Sequence, residues 1–175
     1  MAKLRKMIGK VDSPHVISLM ELIETQSKRT IVKWCNEYAR EHILSIYEKD
    51  YPGDLRLKNA LNATDDWLEG KIKLAEAKKI IREAQVAARE VEGNPSAQAA
   101  ARAIGATTAT INTVTSCLGL VFYGAAAVAY SSVGVNEKEE VYDRIANIEC
   151  QKIEDALRLI AVEDESNPAK IKWNC

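Results

Sequence analysis

Two histidines, four cysteines and a scatter of carboxylates are the groups in this 175-residue sequence that could act as bases, nucleophiles or metal ligands. Nucleophilic catalysis needs a serine, cysteine or threonine set beside a base. His15 falls in the first turn of a short N-terminal helix and is expected at the surface. His42 falls on the apolar stripe of the second helix and reads as a hydrogen-bonded core histidine. Cys35, Cys117, Cys150 and Cys175 are far apart and form no C-x-x-C pair, which argues against a zinc site or a disulfide framework. No H-E-x-x-H, Gly-rich phosphate loop or Asp-rich calcium loop is present. Neither is a Glu-x-x-His pair with both residues on an inward face, as a di-iron bundle would need. Asp65 and Asp66 are neighbours in sequence and diverge on a helix, so they make no acid–base pair. The sequence predicts no catalytic residue, no metal and no cofactor.

Polar residues set among small apolar ones say more. Arg89 and Arg102 flank the turn Gly93-Asn94-Pro95 in Ala-rich surroundings. Arg102 and Asn112 fall on the helix expected to be central, where a cation should be paired. Asp54 and Arg56, just after Tyr51-Pro52, are placed to form a loop-to-helix ion pair. These five residues form the candidate polar cluster, serving either to staple the bundle or to meet a partner.

The elements that position them are helical throughout. Ser13-Pro14 reads as a cap followed by proline at the first helical position, with a short helix to about Glu24. Ser27 caps the next, whose stripe is Ile31, Trp34, Cys35, Tyr38, Ala39, His42 and Ile46. Tyr51-Pro52-Gly53 ends it. Asp54 caps a third helix with Leu57, Ala60, Leu61, Thr64, Trp67 and Leu68 inward, closed by Gly70. A fourth buries Leu74, Ala77, Ile81, Ala84, Ala88 and Val91. Asn94 and Pro95 start a fifth, rich in alanine, that bends or ends near Thr113 to Ser116. A sixth runs from about Leu118 to Ser131, with Gly119 and Gly124 as helix-packing glycines. Asn136 caps a seventh, with Glu137, Glu139 and Glu140 in its first turn and Tyr142, Ile145, Ile153, Ala156, Leu157 and Ile160 as its core stripe. The prediction is an all-α bundle of about six to seven helices around a central Ala-rich hairpin. The whole chain, 1–175, reads as one domain, with 1–12 and 163–175 irregular or peripheral and Trp173 pinning the tail.

Composition excludes several classes of function. Hydrophobic residues are 47% and charged residues 28%, normal for a globular protein and too apolar for disorder. The formal net charge of −1 supplies no large positive field for nucleic acid. Lys3, Arg5, Lys6 and Lys10 make the start locally basic, but Gly9 to Asp12 interrupt where a signal peptide needs its apolar core. Lys172-Trp173-Asn174-Cys175 lacks the prenylation pattern. The uncharged stretch between Arg102 and Glu137 is long enough to span a bilayer. Its first half is polar around Asn112, and only Leu118 to Tyr130 is strongly apolar, so a buried hairpin explains it better. The expected location is the cytoplasm, with no membrane and no nucleic acid as partner.

The order Trp34-Cys35, Tyr51-Pro52-Gly53-Asp54-Leu55-Arg56, Asn59-Ala60, Trp67-Leu68-Glu69-Gly70, Ala87-Ala88-Arg89, Asn94-Pro95, Ala99-Ala100-Ala101-Arg102 and Gly105 closely resembles the Imm-5-like family. These are small helical bacterial proteins assigned an immunity role in polymorphic toxin systems. The resemblance spans 34–130 and rests on the ordered set of motifs, none of which is a catalytic fingerprint. Members often carry histidines in the middle of the uncharged segment. Asn112 and Ser116 stand at those positions here, so any function of those histidines would be missing.

The resemblance implies a non-catalytic binding protein that neutralises a cognate protein toxin by covering its active surface. A homo-oligomeric structural module, burying Leu118–Tyr130 and Trp173 against a second copy, is the alternative. An enzyme built on Asp54, Arg56 and His42 is the third reading.

Overall fold

Short polar side chains start the helices at the positions where the apolar spacing begins. The computed structural model describes residues 4–174, so Lys3 and Cys175 lie outside the described residues, and among those described every regular element is a helix. Helix α1 covers Pro14–Ile23 and α2 covers Lys28–His42; Ser13 accepts from the Val16 amide and Ser27 from the Thr30 amide. The short α3, Leu44–Glu48, precedes α4, Arg56–Leu68, and α5, Leu74–Glu90. Asn94 caps α6, Pro95–Ala109, by accepting from the Ala97 amide. A 3-10 turn, Val114–Ser116, leads into α7, Cys117–Val133, and α8 runs Glu139–Ile160.

Two local expectations change. The second predicted helix does not continue through Ile46. It ends at His42, and Ile43 (φ −109°) redirects the chain into α3. The turn sends Leu44 and Tyr47 into the core. Asn136 does not cap α8, whose side-chain cap is absent. Tyr142 replaces it by reaching back, accepting from the Glu137 amide and donating to the Gly134 carbonyl. That carbonyl and amide lie outside the ladder of α8 and would otherwise lack a partner.

Helix α6 is the axis. It touches α2, α3, α4, α5 and α7, and its side chains from Ala97 to Ala101, with Ala103, Ile104, Thr107 and Thr108, are buried. Alanine on nearly every face lets several helices approach one axis at once. The closest approach is to α7, where a Cβ built on Gly119 would stand 2.3 Å from the Ala106 Cβ. Only a glycine fits there, so the two helices form the expected central hairpin.

The uncharged stretch is accounted for by that packing. Residues Val114–Val133 are long and apolar enough to cross a membrane, but more than half of the span is buried inside the bundle. Leu118, Leu120, Val121 and Tyr130 are all buried within the chain. Phe122 and Tyr123 on the same helix, with Trp173 from the tail, stay only partly buried.

Helix α8 closes the outside against α7, α2 and α1. The Trp34 indole donates to the Ile153 carbonyl at 2.9 Å, crossing from α2 to α8 inside the core. Residues 161–174 then run as an irregular strap along α1 and α2. Gln26 holds it from both sides, donating to the Val162 carbonyl and accepting from the Val162 amide. The Glu165 carboxylate accepts from the Ser27 amide and the Thr30 hydroxyl at the start of α2, where the helix dipole favours an anion. Trp173 donates to Glu24 at 2.6 Å. At the other end, residues 4–12 lie on α7: the Ile8 amide donates to the Phe122 carbonyl, and Gly9 (φ +112°) sits 3.1 Å under the Phe122 ring, measured from its built Cβ.

Candidate functional site

The five residues singled out in the sequence fall at three places. Asp54 and Arg56 meet as expected. Asp54 precedes α4 and accepts from the Arg56 amide, from the Arg56 guanidinium at 2.9 and 2.8 Å, and from the Tyr47 hydroxyl at 2.6 Å. The same guanidinium reaches Glu90 at the end of α5. This fork ties α3, α4 and α5 together. The hydrogen bonds from Arg56 hold the Asp54 carboxyl well below the ordinary carboxylate range, and burial together with Asp54 pushes the Tyr47 phenol up. The group thus joins three helices through Tyr47, Arg56 and Glu90.

Arg89 and Arg102 meet at a second place. Both line a depression of about 360 Å³ between α5, α6 and α7, together with Gln85, Gly105 and Tyr123. The depression continues, through the shared residues Ala106, Ser116 and Tyr123, into one of about 400 Å³ lined by Phe122, Leu118, Met7 and Trp173. The pairing expected for Arg102 is not found. Among the described residues neither Arg89 nor Arg102 has a carboxylate in ion-pair range. Arg102 is half-buried and Arg89 exposed, so neither charge is fully removed from solvent and the burial cost is reduced.

Asn112 stands alone. It is exposed in the loop after α6, where its side chain donates to the Thr113 hydroxyl and its amide to the Ala109 carbonyl. Ser116 ends the 3-10 turn at the junction of the two depressions.

His42 is also displaced from its expected core position. Its side chain is 53% exposed at the end of α2, stacked on Tyr38 with ring centroids 4.5 Å apart. The stripe that carries it ends where α2 ends, so the last residue projects past the core. His15 is half-buried. No group of three or more His, Cys, Asp or Glu that could hold a metal exists among the described residues. The thiols of Cys35, Cys117 and Cys150 are buried, and burial pushes those of Cys117 and Cys150 up to about 12, so they stay protonated and unreactive.

Several buried polar residues went unnoticed in the sequence. Glu149 and Glu154 on α8 are 5% and 3% exposed. Glu149 accepts from the Tyr38 hydroxyl and from Lys152; Glu154 accepts from Ser18 and Arg158. A signal existed, since the stripe of α8 jumps from Ile145 to Ile153 and the missing turn is occupied by Glu149. Asn36 donates to the Leu61 carbonyl and to Asp65, and Gln98 donates to the Ala88 carbonyl at the end of α5. These are joints between helices, each satisfying a backbone or carboxylate oxygen that burial would otherwise strand.

A family model described as Imm-5 like putative immunity protein matches residues 21–156. That range takes in α2 to α7 entirely and most of α8. No match is found among curated proteins or among solved structures.

Proposed function

Because the chain belongs to the Imm-5-like immunity-protein family, we propose that it binds and neutralises a cognate bacterial toxin in the cytoplasm, as one domain and without a catalytic step of its own. The family match carries this reading. An immunity protein of the blocking kind needs a stiff scaffold that presents a complementary surface. The scaffold here supports that demand: caps, the Gly119–Ala106 contact, the Asp54 fork and the two terminal straps all fix the bundle from outside and inside. Asp54, Glu149 and Glu154 are engaged in holding helices together.

The test is expression of each candidate toxin from the neighbouring genes, with and without the chain, in a host that lacks both. Growth restored by the chain, together with recovery of a stoichiometric complex, supports the reading. Equal killing in both strains contradicts it.

A second reading, a homo-oligomeric helical module, has one observation in its favour. On the outer side of α8, Ile148 is 50% exposed and Leu159 is 88% exposed. Eleven residues apart, they fall on one line of the helix. A single mass by light scattering at high concentration, equal to one chain, removes this reading.

A further inference from the structure

Helix α5 sorts its charges. At about 100° per residue, Lys78, Arg82, Gln85 and Arg89 fall within roughly 60° of one another. Glu76, Glu83 and Glu90 gather about 130° away on the other side, with Lys79 beside them, and Glu90 is taken up by Arg56. The basic side borders the α5–α6–α7 depression, since Gln85 and Arg89 line it and Arg102 faces them from α6. Among the described residues none of Lys78, Arg82, Arg89 and Arg102 has an anionic partner. Among the described residues no carboxylate side chain lines either half of the groove. In a chain whose net charge is −1, with 25 acidic residues, this leaves one side of α5 basic and without ion-pair partners. The groove's other half is aromatic and apolar, with Phe122, Tyr123 and Trp173 presented between the two terminal straps. Arginine, tyrosine and tryptophan, here distributed along the two joined depressions with Tyr123 common to both, are the residue types that anchor protein interfaces.

We infer that this groove is the docking face for the toxin, and that it receives a segment of the toxin carrying carboxylate side chains next to an apolar or aromatic one. The inference rests on the immunity reading for the identity of the partner, and on charge complementarity for the chemistry of the segment. The carboxylates meet Arg89 and Arg102 in forked pairs, with Arg82 and Lys78 extending the track along α5. The apolar side chain enters beside Tyr123 and Trp173. Nucleic acid is a poorer occupant, because the cationic track is short and leads into an apolar trough instead of along a second basic ridge.

The experiment titrates the full-length chain with short labelled peptides of matched length: one alternating Asp with Leu and Phe, one with Lys in place of Asp, and one with Ser. A single-stranded oligonucleotide serves as a further probe. The expected result is binding of the acidic peptide about tenfold or more tighter than the other two, with a change in Trp173 emission. The double variant Arg89→Glu/Arg102→Glu, confirmed as folded by an unfolding midpoint close to the parent's, should reverse the order and favour the Lys peptide. Equal affinity for the three peptides, tighter binding of the oligonucleotide, or an unchanged order in the double variant each overturns the inference. Neutralisation separates the two levels. If the parent protects against the toxin and the double variant protects equally, the docking face falls and the immunity reading stands. If the parent fails to protect while the acidic peptide still binds by charge, the immunity reading falls and the groove's chemistry stands.

Discussion

Asp54 accepts four hydrogen bonds, one from Tyr47 and three from Arg56, and that density makes it a test of what its fork does. Replacing it by Asn keeps the shape and removes the charge. Hydrogen bonds to a charged group contribute about 1.5–3 kcal/mol each when well made, and the shared, partly solvated fork here should lose about 1–2 kcal/mol in all. The folded carboxyl lies below its ordinary value, so its contribution is present above the unfolded value of about 3.9 and fades as pH falls below it. Urea unfolding should therefore show Asp54→Asn less stable than the parent at neutral pH, with the gap closing under acid conditions. A gap that is constant with pH would mean the charge is not what holds the turn. Trp34 supplies a second test. Trp34→Phe removes the bond to the Ile153 carbonyl and should cost about 1–3 kcal/mol, the desolvation left on that carbonyl included. The Asp54–Arg56 pair was legible because its partners are two residues apart. The bonds of Glu149 to Tyr38, or of Gln26 to Val162, were not, because over a hundred positions separate the partners.

Helix starts were legible for the same local reason. Ser13, Ser27 and Asn94 cap within their own first turn, and the prolines after two of them leave no doubt about direction. The break at Ile43 carries no glycine or proline and was invisible; tertiary packing of Leu44 and Tyr47 decides it. At the hairpin, glycine was read correctly as a packing residue, yet which neighbour it spared emerges only from the fold. Gly119→Ala gains about 1 kcal/mol of helix propensity but drives its methyl to 2.3 Å from the Ala106 Cβ. Overpacking of this kind costs about 1–3 kcal/mol and shifts the backbone. The variant should melt lower than the parent, and a second change, Ala106→Gly, should restore most of the loss. Failure of the second change to restore anything would show that the strain lies elsewhere. The tail makes a comparable claim: Glu165→Ala strips the carboxylate from the start of α2 and should lower stability by about 0.5–1 kcal/mol, with an effect that shrinks in high salt.

Taken whole, the molecule places its small residues inside, its alanine helix at the axis and its ionic groups at the joints. That plan follows from composition and period, which is why the all-helical bundle could be read before the structure. The groove could not, because Arg89, Arg102, Tyr123 and Trp173 come from three separate elements and the tail. Burial of the thiols offers a global readout. In a Cys175→Ser variant the remaining cysteines should react with a thiol reagent only as fast as the bundle opens, since burial keeps all three protonated. Rapid labelling in native buffer would contradict the packing described. The central claim is that this scaffold exists to be bound by a toxin. Its most direct measurement is growth of cells expressing each candidate toxin from the neighbouring genes, scored with and without the chain. The account predicts that the chain restores growth and forms a one-to-one complex with the toxin. Undiminished killing with the chain present and folded would contradict it.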